Sequence, residues 1–94
     1  NPFSPKYELT RIHYGSYDNP IGNGIRQVTI DIFDFGMSRV RTLIKDAERD
    51  VSLEYDELWD GRDDNGKIVA NGVYFYRVVI NDNEPMIGKI LVLQ

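Results

Sequence analysis

The 94 residues predict one all-β domain in which two sheets pack as a sandwich. Two observations support this fold class. Apolar side chains recur at every second residue along most of the chain, which is the period of a strand with one buried face. Clusters of Gly, Asn, Asp and Pro divide these segments into about seven short strands, with turns every ~8–12 residues, as is typical of sandwiches.

Each strand is assigned from its alternation and its flanking turns. Val28, Ile30 and Ile32 form the clearest half-buried strand and are predicted core residues. The segment 39–49 also fits a helical stripe of apolar residues, so a helix is the alternative there. The strands are predicted near 7–14, 28–32, 40–44, 51–59, 67–69, 73–80 and 86–93.

The opening residues predict a linker. Pro2 and Pro5 restrict the backbone and favour extended structure before them. Residues 1–6 are therefore predicted as a linker and residues 7–94 as the domain. Because a start at Asn1 without a signal peptide is typical of the middle of a longer chain, we expect an upstream cargo domain fused to this one.

Composition argues against several classes of function. The formal net charge is −4 and the 11 basic residues are scattered, whereas nucleic-acid binding needs clustered Lys and Arg. The chain has no cysteine, which excludes disulfides, thiolate metal sites and cysteine nucleophiles. No apolar run approaches the ~20 residues needed to cross a bilayer. We therefore expect neither a nucleic-acid partner nor a membrane span.

No catalytic constellation is visible in the sequence. A hydrolase needs a nucleophile, a base and an orienting group within reach of one another. The only histidine, His13, falls on the outer face of a predicted strand, and no serine lies in a nucleophile-elbow sequence. We therefore expect no enzyme activity, no catalytic residue and no cofactor.

An acidic turn is the one possible metal constellation. Calcium prefers clustered oxygen ligands, and the segment 60–66 supplies them in a glycine-bearing loop. The spacing of an EF-hand fails, because Arg62 and Asn65 occupy the third and sixth places. A turn whose carboxylates accept backbone hydrogen bonds is therefore favoured over a calcium site. The four candidate ligands are Asp60, Asp63, Asp64 and Asn65.

Two aromatic residues have alternative interpretations. Flat rings such as those of Trp59 and Tyr74 can form a platform for sugars, which would make the domain a carbohydrate-binding module. In sandwiches, however, a buried Trp anchors the core, and a Tyr at the start of a late strand bonds backbone across a turn. We expect core roles for both rings, with Tyr76 on the same face as Tyr74.

Three segments are similar to a known family. They are Trp59 to Lys67, which begins Trp-Asp-Gly-Arg-Asp, Asn71 to Arg77, which contains Gly-Val-Tyr, and Gly88 to Leu93. Together they resemble the immunoglobulin-like domain of the flagellar hook-capping protein and its relatives. These relatives include the C-terminal sorting domains of type IX secretion cargo. The sequence departs from the family pattern at Met37, where Gly is usual, and at Gln94, where a basic residue is frequent.

The resemblance implies an immunoglobulin-like Greek-key sandwich. It also implies that the last two strands, Gly72–Ile80 and Ile87–Leu93, carry what an outer-membrane secretion apparatus recognises. In that family the cargo crosses the outer membrane, and a sortase-like peptidase often removes the domain and attaches the cargo to the cell surface. The implied location is therefore extracytoplasmic: the periplasm in transit, then the surface or the medium. The implied recognition residues are Gly72, Tyr74, Tyr76, Gly88 and Lys89.

Three functions remain open from the sequence. The first is a type IX sorting signal, whose partners are secretion-apparatus proteins at the outer membrane and a sortase-like peptidase. The second is a structural, assembly or spacer module, as in the hook-capping protein. The third is a carbohydrate-binding module attached to a secreted enzyme. Fold alone does not distinguish them.

Overall fold

Seven strands and no helix are found in the residues that the computed structural model describes, which are 2–5, 8–81 and 83–94. The predicted all-β sandwich is confirmed, and the helix alternative over 39–49 is wrong because that segment is one long strand. The strands are β1 (Pro2–Phe3), β2 (Thr10–Tyr14), β3 (Ile25–Phe33), β4 (Arg39–Asp50), β5 (Tyr55–Trp59), β6 (Gly72–Ile80) and β7 (Met86–Val92).

The strands form two sheets of unequal size. The larger sheet has the order β1-β7-β6-β3-β4, and the smaller sheet pairs β2 with β5. All neighbours are antiparallel except β1, which runs parallel to β7. The two edges of the larger sheet are therefore β4 on one side and β7 with its short neighbour β1 on the other.

The core lies between the sheets, with Trp59 at its centre. The Trp59 side chain is fully buried, and its ring meets the rings of Phe3 and Tyr74 edge to face at 5.6 and 5.9 Å between centroids. The predicted core residues Trp59, Val28, Ile30 and Ile32 are all 0% exposed. The remaining buried hydrophobic residues are Phe3, Ile12, Tyr14, Val51, Val69, Tyr74, Val78, Ile80, Ile90 and Val92.

A half-buried ion pair joins the two sheets beside this core. Arg49 of β4 donates from Nε to Glu57 of β5 at 3.0 Å, and the Tyr14 hydroxyl donates to the same carboxylate at 2.6 Å. Burial opposes ionisation of Glu57, but the hydrogen bonds from Arg49 and Tyr14 outweigh it and hold the pKa of Glu57 below its ordinary value. Burial raises the pKa of Tyr14, and Glu57 raises it further. Glu57 is a polar residue on the apolar face of its predicted strand, and its carboxylate has hydrogen-bond donors inside the sandwich.

Strand β4 is bulged where it pairs with β3. It has 12 residues against 9 in β3, and the pairing shows three register shifts. At one shift Asp46 adopts φ 49°, and its amide donates to the Thr29 hydroxyl at 3.0 Å. A bulge inserts an extra residue into one strand and so interrupts the two-residue alternation of apolar side chains. The predicted segment 40–44 is therefore only part of the observed strand.

The predicted linker over residues 1–6 does not hold for Pro2 and Phe3. Pro2 and Phe3 pair with Leu91 and Val92, and the Phe3 side chain is 5% exposed. An extended segment with an apolar side chain gains more from burial against Trp59 than from remaining in solvent. Asn1, Lys6 and Tyr7 lie outside the described residues. The strand predicted over 7–14 begins at Thr10, since the described Glu8 and Leu9 are not in a strand.

One predicted strand is shorter than expected, and another is absent from the strands of the described residues. The segment 51–59 begins as a turn, with the Leu53 amide donating to the carbonyl of Asp50, and becomes strand only at Tyr55. The segment 67–69 forms no strand and contributes a single bridge between Arg62 and Ile68. Each segment buries one apolar side chain, Val51 or Val69, from a position outside the strands.

Candidate recognition surface

The predicted recognition residues lie side by side on β6 and β7 but face in different directions. Tyr74 pairs with Ile90, and Tyr76 pairs with Gly88. Tyr74, Tyr76 and Gly88 share the inner face of the sheet with the buried Ile90. Lys89 lies on the outer face and is exposed. Of these predicted recognition side chains, only Lys89 is freely accessible to a partner.

Tyr74 forms the predicted corner. Its hydroxyl donates to the carbonyl of Ala70 at 2.7 Å, across the turn that precedes β6. Burial raises the pKa of Tyr74, and the nearby Asp34 raises it further. Because Tyr74 and Trp59 are both buried, they form no exposed platform, which removes the reason for a carbohydrate-binding module.

Gly88 provides room for the Tyr76 ring. A Cβ placed on Gly88 would overlap the ring atoms of Tyr76, so a side chain there would displace the tyrosine. Tyr76 in turn packs against the core. Gly72, at the start of β6, has φ 149°, which L side chains rarely adopt. The geometry of the hairpin therefore explains why glycine occupies both positions, and neither glycine requires contact with a partner.

The outer edge of β7 is paired with β1 near its C-terminal end. The Leu93 amide donates to the Phe3 carbonyl at 3.0 Å, so Leu93 faces β1, away from β6. Hydrogen-bonding directions alternate along a strand, so Lys89 and Ile87 direct their backbone groups to this same edge. In the described part of the chain, β1 pairs with β7 only at Leu91 and Val92. The sequence pattern could not show that β1 pairs with this edge.

The first part of the opposite edge, at the start of β4, is covered by the acidic turn. The Asp64 amide donates to the Val40 carbonyl at 2.9 Å, and the Thr42 amide donates to the Asp64 carboxylate at 3.0 Å. Arg39 completes the contact with an ion pair to Asp64 at 3.0 Å. The turn is tied to the core because Trp59 Nε1 donates to the carbonyl of Arg62 at 3.0 Å.

The carboxylates of this turn are engaged by the protein. Asp60 accepts from the Arg62 amide and from Arg41 at 3.1 and 3.2 Å. Asp63 accepts from the amides of Asn65 and Lys67 at 2.9 and 3.0 Å. Within the described ranges there is no group of three or more His, Cys, Asp or Glu that could hold a metal ion. The arrangement is the favoured hydrogen-bonded turn.

His13 lies on the exposed face of β2, where the sequence predicts it. Its Nδ1 is 2.7 Å from an oxygen of Asp56, and its Nε2 is 3.6 Å from Glu54. Arg11 pairs with the same Asp56 at 3.6 Å. These contacts make a surface cluster of charges on the smaller sheet.

A polar cluster on the outer face of the larger sheet was missed by sequence reasoning. Asp31 is only 8% exposed. It accepts from the Thr42 hydroxyl at 2.7 Å and pairs with Arg77 at 3.4 Å, while Arg77 stacks over the Phe33 ring. The cluster borders an open hollow of about 440 Å³. Alternation places Asp31 on the solvent side of its strand, but it does not reveal neighbours that bury it.

The comparisons with known proteins support the fold. No family model and no curated protein matches the chain. Among solved structures, it is similar to the dimeric latent PorU from Porphyromonas gingivalis. The TM-score is 0.60 with 18% identity, over 90% of this chain and 9% of that chain. At this identity the similarity shows a shared β-sandwich fold.

The similar region is a small part of PorU, since the chain spans 9% of that protein's length. The fold is thus found as one module within a long polypeptide. No helix in the described residues is long and apolar enough to span a membrane.

Proposed function

We propose that this chain is a non-catalytic sorting domain, which directs a larger cargo protein across the outer membrane by type IX secretion. One observation carries the proposal: the three segments that resemble such domains meet in one structural unit. Trp59 packs on Tyr74, and the strand that carries Tyr74 pairs with Gly88 to Val92 of the third segment. The resembling residues are therefore a folded core and the hairpin that it supports.

The similarity to PorU supports the proposal, because PorU is itself a protein of the type IX secretion system. In this proposal the partners are secretion-apparatus proteins at the outer membrane and a sortase-like peptidase. The domain passes through the periplasm and reaches the cell surface or the medium with its cargo. The accessible side chains of the terminal hairpin, Ile87 and Lys89, are the contact points.

A reporter fusion tests this function. Residues 1–94 are placed after a folded periplasmic reporter in a host that has type IX secretion, and the reporter is located by fractionation and surface proteolysis. We expect the reporter at the surface or in the medium. The same fusion in a strain that lacks the outer-membrane channel should remain in the periplasm. Retention of the reporter in the competent host would contradict a sorting role.

A second function is supported by the same comparison. The fold forms only 9% of the PorU chain, as a spacer or assembly module in a long surface protein would. The hook-cap-like motif around Trp59 supports it as well. In that case the reporter fusion stays in the periplasm, although the isolated domain folds and melts cooperatively.

A further inference from the structure

The polar hollow on the outer face of the larger sheet is not used by the proposed sorting function. Its volume of about 440 Å³ lies within the ~300–1,000 Å³ that is usual for small-ligand sites. It spans β6, β3 and β4, the three strands farthest from β1 in the sheet order. The residues that line it are Thr29, Asp31, Arg39, Thr42, Lys45 and Arg77. All six lie between residues 29 and 77, so the hollow is built from the middle of the chain.

The one carboxylate in the hollow is already engaged by the protein. Asp31 is buried, and it accepts from the Thr42 hydroxyl at 2.7 Å and from Arg77 at 3.4 Å. The Thr42 hydroxyl proton is committed to the same carboxylate. Because Asp31 is buried and paired, it positions Arg77 and offers a ligand little free carboxylate.

The cations of the hollow have N–H donors that the protein does not use. Lys45 is exposed, and its ammonium has no ion pair within the described ranges. A guanidinium carries five donors, and the Arg77 Nε is buried without a hydrogen-bond partner among the described residues. The Arg77 side chain remains reachable because it is 43% exposed. Since buried donors without a partner are uncommon, the hollow is a place where an acceptor is missing.

We propose that this hollow binds the carboxylate group of a small organic acid between Lys45, Arg77 and Arg39. Charge-assisted hydrogen bonds to a carboxylate are about twice as strong as neutral ones, and arginine presents its donors in a fixed fork. The Phe33 ring, 5.0 Å from the Arg77 guanidinium, holds that fork in position. The inference goes beyond the proposed function, because none of the residues assigned to sorting lines the hollow.

Neighbouring carboxylates limit the charge of the ligand. Asp64 lies 3.0 Å from Arg39, and Asp46 accepts from the Thr29 hydroxyl at 3.4 Å. Both carboxylates lie beside the hollow without lining it. Of the lining cations, Lys45 alone has no ion pair in the described residues. A carboxylate with a single negative charge matches this one free cation, whereas a phosphate dianion would meet stronger repulsion from the two neighbouring acids.

An NMR titration of the 94-residue chain with acetate tests the inference. The signal followed is that of the Arg77 Nε–H, and sodium chloride keeps the ionic strength constant so that charge screening does not change. Acetate should shift this signal saturably, whereas acetamide, which has nearly the same shape and no charge, should not. Inorganic phosphate at mildly alkaline pH, where it is mostly a dianion, should bind more weakly than acetate.

A matched pair of variants locates the site. Lys45→Gln removes a cation of the hollow and should weaken acetate binding about fivefold, the effect of one exposed ion pair. Lys89→Gln removes the same charge from the same face of the sheet, outside the hollow, and should leave acetate binding unchanged. Both lysines are exposed, so we expect both variants to fold like the wild type.

Four results would overturn the inference. They are the absence of a saturable shift with acetate, an equal shift with acetamide, tighter binding of phosphate than of acetate, and equal weakening by the two lysine variants. The last result would reduce the effect to the overall charge of the face. None of these outcomes bears on the sorting role, which the reporter fusion tests separately.

Discussion

The two edges of the larger sheet differ in what pairs with their backbone groups. The β4 edge is stabilised by the acidic turn, whose Asp64 contacts Val40 and Thr42. In the described residues, the outer edge of β7 pairs with the two-residue strand β1 at Leu91 and Val92. Strand edges with unpaired backbone groups invite association with other chains. The turn thus pairs backbone groups at one end of β4, and β1 does the same at the end of β7.

The difference can be traced to a few local interactions. The turn at 60–66 is anchored through Trp59, so the protection of β4 depends on the core. The regularity of β7 depends on Gly88, because the Tyr76 ring occupies the space that a side chain would fill. Changes at these positions should therefore affect one edge more than the other.

Trp59→Ala should have the largest effect. It removes a fully buried ring and the hydrogen bond that holds the acidic turn over β4. Truncation of a buried Trp costs about 3–5 kcal/mol of unfolding free energy, measured by urea denaturation. Leu58→Ala, at the neighbouring position and 52% exposed, is the control and should change stability by less than about 0.5 kcal/mol. Equal effects of the two changes would show that Trp59 does not anchor the fold.

Gly88→Ala should destabilise the β7 side by about 1–3 kcal/mol, since added volume in a packed site forces neighbours to shift. Gly36→Ala is the matched control, because the nearest atom to its Cβ would be an Asp34 oxygen at an ordinary 3.5 Å. A double-mutant cycle with Tyr76→Ala measures how much of the destabilisation by Gly88→Ala depends on the Tyr76 ring. If the cost of the Gly88 change persists without the ring, overlap with Tyr76 is not its cause.

Much of the fold follows from the sequence, and the edges show where such inference ends. Two-residue alternation identifies the core strand around Ile30, and the turn chemistry of Asp60 to Gly66 predicts the hydrogen-bonded loop. The alternation cannot show that Phe3 pairs in parallel with Val92, because that contact joins opposite ends of the chain. The resemblance assigns Tyr74 and Tyr76 to recognition, although their side chains face the core, as the alternation predicts.

Glu57→Gln should reduce stability by roughly 1–3 kcal/mol at neutral pH, because Arg49 and Tyr14 lose a charged acceptor. The pKa of Glu57 is lowered in the folded chain, so its carboxylate stabilises the fold above the unfolded value of about 4.3. This contribution is lost as the pH falls through the folded pKa. The difference between wild type and variant, measured by urea denaturation from acid to neutral pH, should therefore shrink in acid. A constant difference would contradict the role assigned to this charge.

Asp64→Ala should have the smallest effect on stability and the clearest effect on the comparison of edges. The exposed turn loses its acceptor for the Thr42 amide and its ion pair with Arg39, which together contribute about 0.5–1.5 kcal/mol. Hydrogen exchange should quicken at Thr42 and stay unchanged at Lys89, on the opposite edge. Asp64→Asn keeps a carbonyl acceptor and should retain part of the protection at Thr42. If exchange at Thr42 is the same in all three proteins, the turn does not protect β4, and the bulges of that strand alone must distinguish it from β7.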